Sequence, residues 1–201
     1  SLIPILLIAL YLLVAKSGMA QLALKTNAAE QRWVDSVYNS LSTQQRIGQL
    51  FMLRANSDID STEIRQLAGL IKEYNIGGLC FFKGGPVRQA ILTNYYQQQA
   101  QTPLLISMDA EWGLGMRLDS TISFARQMTL AAMRNEQLIS DFGLAVSRHL
   151  RRMGVHISFS PVADINSNPA NPVINIRSFG EHRDDVTRKS VLYMKALQAG
   201  G

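Results

Sequence analysis

The sequence predicts an α/β fold organised around a parallel sheet. Short, continuously apolar segments alternate with longer ones whose apolar residues recur at helical spacing. The short segments lack the alternation of a sheet with one wet face, so they read as strands covered on both sides. Polar clusters follow them directly, where parallel α/β folds place their ligand-binding loops.

The first segment stands apart from this rhythm. Leu2 to Ala15 is an almost unbroken apolar run, followed by Lys16-Ser-Gly-Met-Ala20-Gln21. A membrane span needs roughly 20 apolar residues, so the run is short for one and fits the apolar core of a signal peptide. Gly18 and Ala20 supply the small residues before a cut between Ala20 and Gln21. Residues 1–20 are therefore expected to be a signal peptide, and the protein to be exported, periplasmic or secreted. Membrane attachment is expected only if this segment stays uncleaved as an anchor. Residues 21–41 are a polar lead-in and a helix, with Trp33, Val37 and Leu41 on one face.

Residues 42–201 carry the alternation. Ser42 with Gln45 forms a helix-start signature. Ile47 to Leu53 leads into a strand. Glu63 to Tyr74 is a helix with Ile64, Leu67, Ala68 and Ile71 on one face; Ile76 to Phe82 is a buried strand. Pro86 to Ala100 is a helix opened by proline, which the first turn accepts. Leu104 to Met108 is a strand, Phe124 to Arg134 and Glu136 to Met153 are helices, Val155 to Ser160 is a strand, and Asp184 to Ala199 is a helix. Doubly wound sheets and β/α barrels both fit this order, and periodicity does not choose between them.

Composition narrows the function classes. Apolar residues make up 47% of the 201 and charged residues 17%, which is globular rather than disordered. The net charge is +5, but the basic residues are dispersed, and the densest cluster (Arg148, Arg151, Arg152) reads as a solvated helix face. A nucleic-acid partner is not expected, since such proteins gather their charge on one face. The single cysteine, Cys80, sits in an apolar run and reads as a core residue. No histidine pair has metal-ligand spacing. His149 reads as surface, His156 as a satisfied core residue. There is no phosphate loop, no Gly-x-Ser-x-Gly elbow and no His-Glu-x-x-His.

Two motifs concentrate the remaining chemistry. In Met108-Asp109-Ala-Glu111-Trp-Gly-Leu-Gly-Met-Arg117 a strand runs into a carboxylate able to accept ligand hydroxyls. Glycines permit a tight turn, and Arg117 returns a planar donor fork toward Asp109 and Glu111. A structural Asp–Arg pair is the alternative, and spacing does not choose. The second runs from Pro161-Val-Ala-Asp164 through two Asn-Pro steps to Arg177-Ser-Phe-Gly180. Loops this long in a compact domain are usually functional. Asp164 and Asn166 read as turn-capping residues, Arg177 as ligand-binding, and His182 as a weaker candidate near the same loop.

At these motifs the chain resembles glycoside hydrolase family 3, in particular its β-N-acetylglucosaminidase branch. The shared features are Asp109, Glu111, Gly113 and Arg117; Pro161 to Asp164; Asn171-Pro172; and Arg177 to Gly180, with Ile76-Gly-Gly-Leu matching the family's second strand. The resemblance covers residues 42–201. It implies a (β/α)8 TIM barrel, of which this chain holds the N-terminal half, about four βα units. It implies a retaining exo-glycosidase that removes terminal β-linked N-acetylglucosamine from a glycan, with no metal or organic cofactor. It assigns Asp109, Arg117 and Arg177 to substrate binding in the −1 subsite, with Glu111 and His182 as secondary candidates. A Lys-His-Phe-Pro-Gly-His segment, the acid/base pair and the nucleophile are expected beyond Gly201, so this polypeptide alone is expected to be inactive and poorly soluble. Trp112 stands where many members have glycine, and Ala125 where proline is frequent, which puts the rim of the first loop in question. The alternatives are a family 3 β-glucosidase-type enzyme and a non-catalytic carbohydrate-binding remnant.

Overall fold

The computed structural model describes residues 27–201. The expected signal peptide, residues 1–20, lies outside the described residues. The chain divides into one unit up to Ser40 and a second from Leu41 to Gly201. In the first, α1 (Ala28–Ser40) starts on a reciprocal cap: Asn27 Oδ1 accepts the amides of Ala29 and Glu30, and the Glu30 carboxylate accepts the Asn27 amide. None of its residues is buried, and Trp33 is 58% exposed. None of the described helices is long and apolar enough to cross a membrane.

The second unit holds the α/β alternation. Its elements are α2 (Thr43–Gly48), β1 (Met52–Ala55), α3 (Ser61–Tyr74), β2 (Gly78–Phe81), α4 (Pro86–Gln99), β3 (Leu105–Met108), α5 (Gln127–Ala131), α6 (Gln137–Arg152), β4 (Ile157–Ser158) and α7 (Arg183–Ala199). The four strands are parallel and lie in chain order, β1-β2-β3-β4. Partners in register share a face of a parallel sheet. Leu79, Phe81, Ile106 and Met108, all fully buried, therefore point one way, into a single core with Ile71, Tyr96, Ile139 and Val146 from the helices. Arg54, Cys80, Ser107 and Ile157 share the other face. Unreversed strand order with helices gathered on one face is barrel-like, not doubly wound.

Local chemistry explains the boundaries. Ser42 makes the capping box with Gln45 that the sequence signals. The helix expected from Glu63 begins at Ser61, because Asp60 caps it and Glu63 returns the bond to Asp60. The helix expected over Phe124–Arg134 shrinks to α5. The Phe124 amide donates to Trp112 O, and the Gln127 side chain donates to and accepts from the backbone of Val162 at 2.8 and 2.9 Å. These bonds tie the start of that segment into two loops. β4 keeps two of six expected residues. His156 Nδ1 takes the Ile106 amide at 3.0 Å, so a side chain substitutes for a ladder bond. His156 is thus satisfied, as expected, but exposed rather than in the core. His149, expected on the surface, is half-buried with its ring 5.7 Å from that of Phe124. Arg148, Arg151 and Arg152 are exposed, and Cys80 is buried. α6 and α7 pack tightly: a β-carbon on Gly143 would come within 2.6 Å of Ala196 Cβ.

Candidate functional site

The site is built at the C-terminal ends of β3 and β4. Asp109 is the first residue after β3 and is partly exposed. From there the chain turns at Gly113, whose φ of +84° suits glycine and whose added β-carbon would meet the Phe124 ring at 2.7 Å. A single 3-10 turn over Leu114–Met116 then swings Arg117 back. Its Nη2 donates to Asp109 Oδ2, and its guanidinium lies 4.7 Å from the centre of the Phe82 ring, just past β2. The expected Asp109–Arg117 pairing is present, with side chains 23% and 26% exposed.

Glu111 meets Arg177 from 66 residues away. Arg177 Nη2 donates to Glu111 Oε1 at 2.6 Å, and Nε to Oε2 at 2.9 Å. The geometry is the two-pronged one that guanidinium and carboxylate favour. Glu111 is 3% exposed and Arg177 31%. The hydrogen bonds to Glu111 hold the Arg177 guanidinium above its ordinary pKa, with the charges of Glu111, Asp109 and Asp164 acting the same way against burial. Tyr193, fully buried on α7, donates to the carbonyls of Ala110 and Glu111 at 3.3 Å, bracing this backbone.

The long loop after β4 brings Arg177 into place. Asn168 Oδ1 accepts the Ala170 amide, and Asn171 Oδ1 those of Val173 and Ile174. Asp164 and Asn166 hold the loop through their main chains: Ser178 Oγ donates to Asp164 O at 2.6 Å, and the Asn166 amide to Gly180 O at 2.9 Å. A 3-10 turn over Asn175–Arg177 then aims the guanidinium at β3.

Of the five sequence candidates, Asp109, Glu111, Arg117 and Arg177 form this linked set. His182 does not join it. It precedes α7, is 78% exposed, and stands 3.9 Å from Glu181. Sequence reasoning missed three supports. Phe82 and Tyr193 read as ordinary apolar positions, and Arg126, which stacks 3.3 Å over the Trp112 ring, read as part of a helix. Clefts of about 570 and 610 Å³ lie elsewhere, between α4 and α6 and against α2, and the linked residues line neither. Among the described residues no cluster of histidine, cysteine, aspartate or glutamate is arranged to hold a metal ion.

Residues 42–201 match the model of the glycosyl hydrolase family 3 N terminal domain. The chain belongs to this family. Glycosyl hydrolase family 3 has a TIM-barrel-type α/β fold here, and the four ordered parallel strands are part of such a barrel. Beta-hexosaminidase A of Pseudoalteromonas piscicida is 33% identical, the similarity covering 80% of this chain and 31% of that protein. The beta-N-acetylglucosaminidase/beta-glucosidase of Cellulomonas fimi is 27% identical, over 84% of this chain and 29% of that protein. Among solved structures, a family 3 beta-N-acetylglucosaminidase from Paenibacillus sp. superposes with a TM-score of 0.70 at 31% identity, over 80% of this chain and 31% of the other. The beta-glucoside phosphorylase BglX superposes at 0.81 with 23% identity, over 89% of this chain and 32% of its own, which speaks to the fold alone. The chain thus spans less than a third of the length of these relatives.

Proposed function

We propose that this chain supplies sugar-binding residues of an exported exo-glycosidase that removes terminal β-linked N-acetylglucosamine with retention of configuration. The observation that carries the reading is the linked set Asp109–Arg117 and Glu111–Arg177 at the mouth of a barrel whose named relatives are hexosaminidases. Asp109 spends Oδ2 on Arg117 and keeps Oδ1 to accept a sugar hydroxyl. Arg117 and Arg177 supply donors around the ring and its substituents. Glu111 is buried with both oxygens on Arg177, and Asp109 holds Arg117 through one oxygen, an arrangement that suits binding and orienting a sugar. Besides sugar-binding groups, a retaining enzyme needs an acid/base and a nucleophile on opposite sides of the scissile bond to form and then hydrolyse a glycosyl-enzyme ester. Export is supported by the apolar run Leu2 to Ala15 and the small residues before Gln21.

The double name of the Cellulomonas fimi relative favours one second reading, a family 3 enzyme that also accepts β-glucosides. Release of nitrophenol from its β-N-acetylglucosaminide and its β-glucoside by the complete gene product decides between them. Faster hydrolysis of the N-acetylglucosaminide supports the first reading, and preference for the glucoside replaces it with the second. Hydrolysis of neither removes both.

A further inference from the structure

Arg177 has five N–H donors. Nε and one Nη2 hydrogen go to Glu111, and one Nη1 hydrogen goes to Val173 O at 3.1 Å. Two remain, one on each terminal nitrogen. Glu111 is too buried to reach a ligand, and both its oxygens are taken by Arg177. It joins the loop after β3 to the loop after β4, and Tyr193 fixes its backbone. Its charge lies within 3 Å of the guanidinium it binds. A ligand anion against the two free donors would therefore feel a compensated cation and a nearby like charge.

We propose that Glu111 is a positioning and specificity-determining residue: it aims the two free donors of Arg177 and cancels its charge. This corner of the site then takes a neutral acceptor, a sugar hydroxyl or an amide carbonyl, in preference to a carboxylate or phosphate. The inference rests on the carbohydrate reading above. Arg54 and Arg126, stacked on Phe82 and Trp112, have no carboxylate partner among the described residues and would attract anions whatever Glu111 does. The test is therefore a change in selectivity between variants of one protein.

Inhibition constants of N-acetylglucosamine, its 6-phosphate and N-oxalylglucosamine are measured with the complete gene product and its Glu111→Gln and Glu111→Asp variants. Glutamine keeps an acceptor for Arg177 but no charge. The preference for the neutral sugar over at least one anionic analogue should fall about tenfold or more in Glu111→Gln, and stay as in the parent in Glu111→Asp. An unchanged preference in Glu111→Gln, or an equal change in both variants, overturns the proposal. If Glu111→Gln does not fold, the double variant Glu111→Gln/Arg177→Gln decides. It is neutral, as the pair is, and should weaken neutral and anionic probes by the same factor; a selective loss of the anionic probes overturns the proposal. Failure of N-acetylglucosamine itself to bind the parent protein overturns the carbohydrate reading and this inference with it.

Discussion

Replacing Arg177 by alanine should destabilise the barrel unit far more than replacing Arg117, although both arginines sit on carboxylates at one mouth. The difference lies in what is left behind. Glu111 is 3% exposed, so Arg177→Ala strands a buried carboxylate; Asp109 is 23% exposed, so Arg117→Ala leaves one that water can reach. Breaking a buried pair from one side costs about 3–5 kcal/mol, and the partial exposure of Arg177 puts this case near 3. A solvent-accessible pair contributes about 1 kcal/mol or less. For a unit of this size each kcal/mol moves the melting temperature by roughly 2–4 °C, so Arg177→Ala should lower it by about 6–12 °C and Arg117→Ala by only a few degrees. Adding Glu111→Gln to Arg177→Ala removes the stranded charge and should recover much of the loss. Thermal unfolding followed by circular dichroism reads all three variants. Equal losses for the two arginines, or a double variant no more stable than Arg177→Ala, would refute the reasoning.

Gly113→Ala should cost about 1–3 kcal/mol and loosen the Asp109–Arg117 loop, because it imposes strain at positive φ and a clash with Phe124; hydrogen exchange over residues 110–118 would show it. Burial pushes the Cys80 thiol above its ordinary pKa, so the native protein should react with Ellman's reagent far more slowly than the urea-unfolded chain. The amides of Glu63 and Thr62 hold the Asp60 carboxyl below the usual range. Its contribution to stability is therefore complete above the ordinary aspartate pKa and disappears as pH falls through the lowered native one. Asp60→Asn should flatten the acid limb of a stability–pH profile, and an unaltered limb would count against the cap.

The parallel sheet was legible because its strands are apolar without interruption, and the helix faces Leu67–Ala68–Ile71 and Ile139–Val146 follow helical spacing. Periodicity left barrel and doubly wound orders open, since they share one local pattern; the motifs shared with family 3 implied the barrel, and the unreversed strand order agrees with it. Within the site, Asp109 and Arg117 are eight residues apart, and their pairing could be read from strand, glycine and arginine in sequence. The Glu111–Arg177 pair spans 66 residues and depends on the β4 loop folding back, which no local signal reports. The same holds for Tyr193, one apolar position on α7 until the fold sets it beneath Glu111. β4 and the start of α5 were misplaced where side chains, those of His156 and Gln127, take over bonds that periodicity assigns to the backbone.

The proposed sugar-binding role of this mouth is tested most directly by titrating N-acetylglucosamine into the complete gene product and its Asp109→Ala variant by calorimetry. Loss of the charged acceptor at Asp109 should weaken binding by about tenfold or more with little change in melting temperature, as expected for a partly exposed group that contacts the ligand. Equal affinity in the two proteins would contradict it and move the sugar site away from β3.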